Sequence, residues 1–270
     1  MRFKIISQNC FDVPFLNANR NIKVSKLIDK LISLEPDVIC LQELTFPDTR
    51  IMTIKKLAIA GYQVFSKRYL LGFNKGGLLI ASKFPFLSTK FVPFYDRGEF
   101  ASLQIADIAI SKGYQLAKLL IKGNIVNIVN SHLYCVYSVT NPRQSLAHQN
   151  QLKQLSDEIG NLRDATVLAG DLSEPSDRTH NFTNFLKTSN LIDLTANNSN
   201  RVDIANTNVV YQNRVFKAKM AGGKFDYLMV STDLSKNISS IKIFGLDKQM
   251  IRGVREHLSD HYGLMASIEI

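Results

Sequence analysis

The sequence has no tryptophan, few cysteines and no long apolar run, and each shortage narrows what the chain can be. Three cysteines are too few for a disulfide framework, and no CxxC pair indicates a zinc site. Cys10, Cys40 and Cys135 each lie in or beside an apolar run, which favours small buried side chains in a reducing compartment. No stretch approaches the roughly 18 apolar residues of a membrane-spanning helix.

No repeat, low-complexity tract or flexible linker divides the 270 residues, so we expect one domain over residues 1–270. The N-terminus runs directly into a strand-like pattern without the features of a signal peptide. This predicts a cytoplasmic protein, with peripheral membrane attachment and unconventional export as alternatives. The net charge of +10 favours an anionic partner, and nucleic acid, phospholipid headgroups and an acidic membrane surface all satisfy it.

Short β-branched runs alternate with segments of helical periodicity, which is typical of a two-sheet α/β sandwich. The apolar spacing predicts helices over residues 21–34, 49–60, 143–162 and 178–188. The apolar runs predict strands over residues 3–7, 38–41, 77–82, 100–110, 114–121, 124–129, 166–169, 225–231, 238–244 and 264–270. The polar segment 197–213 is predicted to be a loop.

Residues 83–100 interleave six aromatic side chains with Lys83, Lys90 and Arg97. We interpret this pattern as strands that bury alternate residues and turn charged residues to solvent. A membrane-facing edge that reaches lipid headgroups is the alternative.

Polar side chains that can bind a metal recur where the predicted strands end or begin. A single residue of this kind is usually a turn former or a helix cap. Six such positions in one chain are harder to explain in that way, and carboxylate and amide oxygens suit magnesium, calcium or manganese better than zinc. A carboxylate beside a histidine can also hold the imidazole in one tautomer. The positions are Asn9, Glu43, His132, Asp171, Asp226 and the pair Asp260-His261.

The order of these motifs along residues 3–270 resembles the endonuclease/exonuclease/phosphatase superfamily. The resemblance implies a four-layer sandwich of two mainly antiparallel β-sheets flanked by helices, the DNase I-like fold, and one catalytic domain over residues 1–270. The matching motifs are Gln8-Asn9, Leu41-Gln42-Glu43, residues 77–85, Ser131-His132-Leu133, Gly170-Asp171-Leu172, Phe225-Asp226-Tyr227 and Ser259-Asp260-His261.

The resemblance also implies magnesium-dependent hydrolysis of a phosphate ester, with Mn²⁺ and Ca²⁺ as alternative cofactors. Glu43, helped by Asn9, would hold the cation against a phosphate oxygen. Asp171 would orient or deprotonate the attacking water. His261, held by Asp260, would contact and stabilise the phosphoryl group.

Three further residues receive roles from the resemblance. His132 would add a donor to the same phosphate, and Asp226 would orient a neighbouring donor or a group behind the metal ligands. Lys112 would bind substrate, because Asp107 and Lys112 are spaced like an aspartate–lysine pair implicated in switching on a family member.

The chain departs from the family at Ser173. The usual motif is Gly-Asp-x-Asn, and here it reads Gly170-Asp171-Leu172-Ser173. The asparagine amide normally donates to the phosphoryl oxygen, and a serine hydroxyl can donate too but reaches less far. Loss of one such donor typically costs about 10²–10³ in rate.

Within the superfamily, the neutral sphingomyelinase branch is the most similar, because Asn9-Cys10-Phe11 and the later Arg20 resemble that branch's opening motif. The expected activity is therefore that of a sphingomyelinase-like phospholipase C acting on a phospholipid headgroup as a monomer. A DNase I-like or abasic-site endonuclease is the alternative, which the charge suits equally although the chain lacks a tryptophan wedge. A low-activity or non-catalytic phosphate-binding protein is a third reading, supported only by Ser173.

Overall fold

A computed structural model describes residues 2–13, 17–98, 111–136, 141–173, 180–195 and 224–270. The strand predicted over 100–110 and the loop predicted over 197–213 lie outside the described residues, as do Asp107 and the first two residues of the helix predicted over 178–188. No helix in the described ranges is long and apolar enough to cross a membrane.

The first sheet has six strands, and only its central pair, β1 and β2, is parallel. From edge to edge the strands are β11 (Ile238–Phe244), β14 (Gly263–Glu269), β1 (Arg2–Asn9), β2 (Val38–Gln42), β4 (Leu79–Ser82) and β3 (Gln63–Phe65). The N-terminal strand β1 and the C-terminal strand β14 are therefore neighbours in the middle of one sheet.

The second sheet repeats this arrangement, with β7 and β8 as its parallel pair. From edge to edge its strands are β5 (Phe86–Pro93), β6 (Gly113–Ile121), β7 (Asn124–His132), β8 (Ala165–Asp171), β10 (Asp226–Ser231) and β9 (Leu191–Asp193). A separate two-stranded ribbon consists of β12 (Gln249–Ile251) and β13 (Val254–Glu256).

In the described part of the chain, four α-helices cover the outer faces of the two sheets. They are α1 (Arg20–Ser33), α2 (Pro47–Ile59), α3 (Pro142–Gly160) and α4 (His180–Ser189). Helix α1 buries Val24, Leu27, Ile28 and Leu31, which fall on one face at helical spacing, against the outer side of the first sheet. Helices α3 and α4 cover the outer side of the second sheet in the same way. The side chain of Asn141 caps α3 by accepting from two backbone N–H groups.

The main core lies between the two sheets, and strand alternation explains which residues enter it. On β1, Phe3 and Ile5 face the second sheet, whereas Ile6 faces helix α1. On β8, Val167 points into the same central core. Burial of each such aliphatic side chain contributes roughly 1.5–3 kcal/mol. The predicted four-layer sandwich of mainly antiparallel sheets is confirmed.

The strand pairing brings one end of every central strand to the same edge of the sandwich. The parallel pairs place Asn9 beside Gln42 and His132 beside Asp171 at their carboxyl ends. Because β10 runs antiparallel to β8, its first residue, Asp226, pairs with Asp171. Strand β14 likewise begins at this edge, so the chain before Gly263 reaches it as well.

Strand β5 (Phe86–Pro93) agrees with the interpretation of residues 83–100 as strands, but the expected alternation is absent, because Leu87 to Lys90 are exposed in succession. The alternative that residues 83–100 form a membrane-facing edge requires exposed aromatic side chains. Tyr95 is 86% exposed, but Phe94 is buried and Phe86 packs against the core.

Candidate active site

Six polar side chains from the two sheets converge at this edge, and together they form what we call the strand-end site: Asn9, Glu43, His132, Asp171, Asp226 and His261. A hydrogen bond between the two sheets lies within the site: Asn9 Nδ2 donates to Asp171 Oδ2 at 3.0 Å. The Oδ1 atom of Asn9 accepts from the backbone N–H of Phe11 at 2.9 Å, which fixes the amide orientation.

Two close backbone approaches place the carboxylates. Glu43 has a left-handed backbone with φ of 51°, and its backbone lies against Gly77, where an added Cβ would stand 3.2 Å from the Glu43 Cα. An added Cβ at Gly170 would stand 2.2 Å from the backbone oxygen of Ser131, so only glycine lets β8 approach β7 closely enough to deliver Asp171.

Asp12 fixes the loop that carries Glu43. Its fully buried carboxylate accepts from the backbone N–H groups of Thr45 and Phe46, both at 2.9 Å, and from the hydroxyl of Thr49 at 2.6 Å. Arg20 also donates to Asp12 at 2.6 Å. The segment after β1 and the segment after β2 are thereby held together. This role of Asp12 was not predicted, because Thr45, Phe46 and Thr49 lie more than 30 residues away in the sequence.

Replacing Asp12 by alanine is expected to raise the magnesium concentration needed for half-maximal activity by about 10–100-fold, because the Glu43 loop loses its anchor. A magnesium titration of phosphodiester hydrolysis measures this. Asp48→Asn is the matched control, since Asp48 also binds Arg20 but is half exposed, and the backbone N–H groups of Thr45 and Phe46 donate to Asp12 instead. Equal magnesium dependence in Asp12→Ala and wild type would contradict the positioning role.

The donor set fits a hard divalent cation. Ligand atoms of Glu43, His132 and Asp171 lie within 4.8 Å of one another, and Glu43 Oε2 is buried with no hydrogen-bond partner among the described residues. The amide oxygen of Asn9 keeps a second lone pair after accepting from Phe11. Burial and the nearby Asp260 raise the pKa of Glu43 to about 8. A bound cation would lower the pKa of Glu43 again, since it favours the ionised carboxylate.

His132 and Lys112 form a hydrogen-bonded pair in which the lysine donates and the imidazole accepts. Lys112 Nζ lies 3.0 Å from His132 Nε2 and donates to the backbone oxygen of Leu133 at 2.8 Å. Burial and the Lys112 charge lower the pKa of His132 to about 3, so this imidazole is neutral at physiological pH. The same Nε2 atom of His132 lies 3.8 Å from Glu43 Oε1 and 3.7 Å from Asp171 Oδ2, so Lys112 brings a basic group to the edge of the carboxylate cluster.

Asp171 is an ionised carboxylate with most of its acceptor positions filled. Its Oδ1 accepts from the backbone N–H of Ser173 at 2.8 Å and from the Ser173 hydroxyl at 3.1 Å, and its Oδ2 accepts from Asn9. Burial opposes ionisation, but His132, His261 and Lys112 outweigh it and lower the pKa of Asp171. Because the Ser173 hydroxyl has a single proton and directs it to Asp171, Ser173 is not a free donor.

The partner of His261 differs from the sequence-based assignment. His261 Nδ1 lies 2.7 Å from Asp226 Oδ2, whereas Asp260 Oδ1 is 3.8 Å from the other ring nitrogen, Nε2. Asp226 therefore holds the imidazole, and the expectation that Asp260 does so is wrong. Burial would lower the pKa of His261, but Asp226 and Asp260 raise it well above the ordinary value. His261 is an imidazolium whose Nε2–H faces Asp171 at 3.8 Å.

Asp226→Asn is expected to lower the pKa of His261 toward its ordinary value and to reduce activity by about 10–100-fold. Asp260→Asn is the matched control and should shift the His261 pKa less, because it leaves the Nδ1 hydrogen bond in place. An NMR titration of the histidine ring nitrogens in the metal-free variants measures both shifts. A larger shift in Asp260→Asn would restore Asp260 as the holder.

All nine predicted site residues lie at or beside this edge. Ser173 contacts Asp171, Lys112 contacts His132, and Asp260 lies beside His261. Burial and the charges of Asp171 and Asp226 raise the pKa of Asp260 to about 6. Asp107, the predicted partner of Lys112, lies outside the described residues.

A buried amide network beneath the site was not predicted. Gln42 Nε2 donates to Asn130 Oδ1 at 2.8 Å, and Asn130 Nδ2 donates to the backbone oxygens of Leu41 and Leu79. These bonds join β2, β4 and β7 across the two sheets. The available signal was the presence of amides inside otherwise apolar strands.

Comparison with known proteins agrees with this geometry. A Drosophila melanogaster protein described as "Putative neutral sphingomyelinase" is 24% identical over 277 residues, and the alignment covers 100% of this chain and 61% of that protein. The chain therefore spans less than two thirds of that relative.

Two solved structures share the fold. Sphingomyelinase C from Streptomyces griseocarneus has a TM-score of 0.71 at 17% identity and covers 100% of both chains. D. rerio TDP2 complexed with single strand DNA product has a TM-score of 0.70 at 18% identity, covering 100% of this chain and 99% of that one. Residues 10–261 match the model of the Endonuclease/Exonuclease/phosphatase family. Since that match takes in nearly the whole described chain and every residue of the strand-end site except Asn9, the chain belongs to this family.

Proposed function

We propose that the protein is a magnesium-dependent phosphodiesterase that acts as one catalytic domain and releases the phosphorylated headgroup of a phospholipid, like a sphingomyelinase-type phospholipase C. The family consists of divalent-metal-dependent phosphoesterases. One observation carries the proposal: the carboxylates of Glu43 and Asp171, which suit a cation, lie in one cluster with His132, and the basic side chains of His261 and Lys112 lie beside that cluster.

Each residue then has a chemical task. Glu43 and Asn9 would hold Mg²⁺, which supplies Lewis-acid stabilisation of the charge on the phosphate. Asp171 orients the attacking water through Oδ2, and its lowered pKa makes it a poor proton acceptor, so orientation is its main contribution. His261 donates its Nε2–H to a phosphoryl oxygen while Asp226 stabilises the imidazolium. Lys112, next to neutral His132, adds a further positive charge near the phosphate.

Two observations support a lipid substrate over nucleic acid. The sphingomyelinase-described relative aligns over the whole of this chain, and the sequence has no tryptophan to serve as a stacking platform for bases. A nuclease is the second candidate, since the chain is also similar in fold to a TDP2–DNA complex. Both structural matches have less than 25% identity and concern the fold alone, so they do not decide between the two substrates.

A substrate panel tests the proposal. We expect magnesium-dependent release of the headgroup from detergent-dispersed sphingomyelin or lysophospholipid, hydrolysis of bis-p-nitrophenyl phosphate, and little nicking of plasmid DNA. Glu43→Gln is the control for contaminating hydrolases. Nicking of DNA without lipid cleavage would transfer the proposal to the nuclease. No magnesium-dependent hydrolysis of any of these substrates would support the non-catalytic reading.

Ser173→Asn is expected to increase the rate by about 10–100-fold, because the longer amide restores a donor to the phosphate while the Ser173 hydroxyl is engaged by Asp171. Asparagine also tolerates the left-handed backbone here, where φ is 49°. Steady-state kinetics on a soluble phosphodiester measure the effect. Ser173→Ala is the control and should change the rate less than about tenfold. An unchanged rate in Ser173→Asn would mean that another donor already serves the phosphate.

A further inference from the structure

An exposed apolar turn lies next to the strand-end site. Leu70 is 70% exposed and Leu71 is 89% exposed, and they form the short 3₁₀ turn Leu70–Gly72, which we call the leucine tip. Leu71 has a left-handed backbone with φ of 53°, a conformation that a leucine seldom adopts. A strained, solvent-exposed leucine pair costs stability without burying apolar surface, which indicates a function.

The strand pairing places the leucine tip at the same edge as the site. The tip belongs to the connection from β3 to β4, and Leu79, the first residue of β4, pairs with Leu41 just before Glu43. Asn74 Nδ2 donates to the backbone oxygen of Leu44 at 2.7 Å, and the Phe73 ring lies 5.2 Å from the Phe46 ring. The turn is therefore anchored to the loop that carries Glu43.

Basic side chains surround the leucine tip. Lys67 and Arg68 are exposed, and Arg50 donates to Ser66 beside them. Lys75 lies over the Tyr69 ring with its Nζ 5.3 Å from the centroid. No carboxylate of the described ranges forms an ion pair with any of these four basic residues. Among the described residues, their positive charge therefore has no ion-pair partner.

We propose that the leucine tip and its basic surround dock this edge of the protein onto an anionic phospholipid surface. Leucine side chains gain free energy by entering the acyl boundary, and lysine and arginine bind the headgroups of acidic lipids at the depth just outside it. Leucine offers no flat ring for a base, so this chemistry fits a bilayer better than a nucleic acid. The inference rests on the proposed lipid substrate, for which docking would bring headgroups to the edge that carries Glu43.

Vesicle co-sedimentation in the presence of a chelator tests docking apart from hydrolysis. The probes are phosphatidylcholine vesicles with and without phosphatidylserine. We expect wild type to bind the vesicles that contain phosphatidylserine. Leu70→Ser with Leu71→Asn should weaken that binding by about a hundredfold, and asparagine is chosen because it tolerates the Leu71 backbone. Lys67→Glu with Arg68→Glu should weaken it by about tenfold or more and make it less sensitive to salt.

Matched controls separate the tip from general hydrophobicity and charge. Ile59→Ser removes an apolar side chain that is 88% exposed at the opposite end of α2 from the tip. Lys30→Glu with Lys236→Glu makes the same change in net charge at exposed positions outside the tip. Both controls should bind vesicles like wild type, and circular dichroism establishes that each variant is folded.

Each outcome decides the proposal. Absence of wild-type binding, equal binding by the tip variants, or equal loss in the controls would overturn it. If the tip variants lose binding to DNA and keep binding to vesicles, the proposal would be overturned in favour of a nucleic-acid surface. If wild type cleaves detergent-dispersed sphingomyelin but does not bind vesicles, the docking role of the leucine tip is wrong and the proposed function stands. If it binds vesicles but cleaves no lipid, the proposed substrate is wrong and the docking role stands.

Discussion

Replacing Glu43 by glutamine should reduce magnesium-dependent phosphodiester hydrolysis by about 10³ or more. The change removes the negative charge of the Glu43 carboxylate. The Oε2 atom of that carboxylate has no hydrogen-bond partner among the described residues and is available to a cation. Lewis-acid stabilisation supplies several kcal/mol, and each 1.36 kcal/mol corresponds to about tenfold in rate. Initial rates on bis-p-nitrophenyl phosphate at saturating magnesium measure the loss.

The same variant should fold normally. Burial and Asp260 raise the pKa of Glu43 to about 8, above its value in the unfolded chain, so metal-free wild type carries a mostly protonated Glu43 at pH 7. The raised pKa lowers the stability of the metal-free protein as pH rises from about 4.5 to 8, a loss that glutamine avoids. Metal-free Glu43→Gln should thus melt at or above the wild-type temperature at pH 7. Wild-type turnover by this variant would contradict Glu43 as a metal ligand.

Replacing His261 by alanine should reduce the rate by about 10²–10³ or more, because the imidazolium is the charged donor best placed for a phosphoryl oxygen. The effect should fall mainly on kcat, since the positive charge counts most when negative charge develops on the phosphoryl oxygens. Steady-state kinetics on a soluble phosphodiester separate kcat from KM.

The alanine variant leaves Asp226 without its cation, so its stability must be measured beside its rate. The double variant His261→Ala with Asp226→Asn provides the control, because it removes both charges. If Asp226 acts through His261, the double variant should be no slower than His261→Ala. Additive losses in the double variant would show that Asp226 acts independently, and a rate near wild type in His261→Ala would remove His261 from the catalytic set.

The ends of the strands could be predicted from the sequence because a change from apolar to polar residues marks them. An apolar run such as residues 38–41 followed by Glu43 marks both a buried strand and the polar side chain at its end. Parallel pairing then brings such ends together, as Asn9 and Gln42 show. The helices were equally accessible, because α1 buries residues at regular helical spacing.

Long-range partners could not be predicted in this way. Asp260 and His261 are neighbours in sequence, but Asp260 lies in a bend with its carboxylate 3.8 Å from Nε2, and Nδ1 has a distant partner. That partner, Asp226, is 35 residues earlier in the chain. Asp12 was missed for the same reason, since its contacts to Thr45, Phe46 and Thr49 exist only after β1 and β2 pair.

The most direct test of the metal site is an anomalous difference map from a crystal of the protein soaked in Mn²⁺, a scattering substitute for Mg²⁺. We expect a peak within direct coordination distance of Glu43 Oε2, next to the Asn9 amide oxygen, that is lost in Glu43→Gln. A peak bound elsewhere with no density at Glu43, or an unchanged peak in Glu43→Gln, would contradict this expectation.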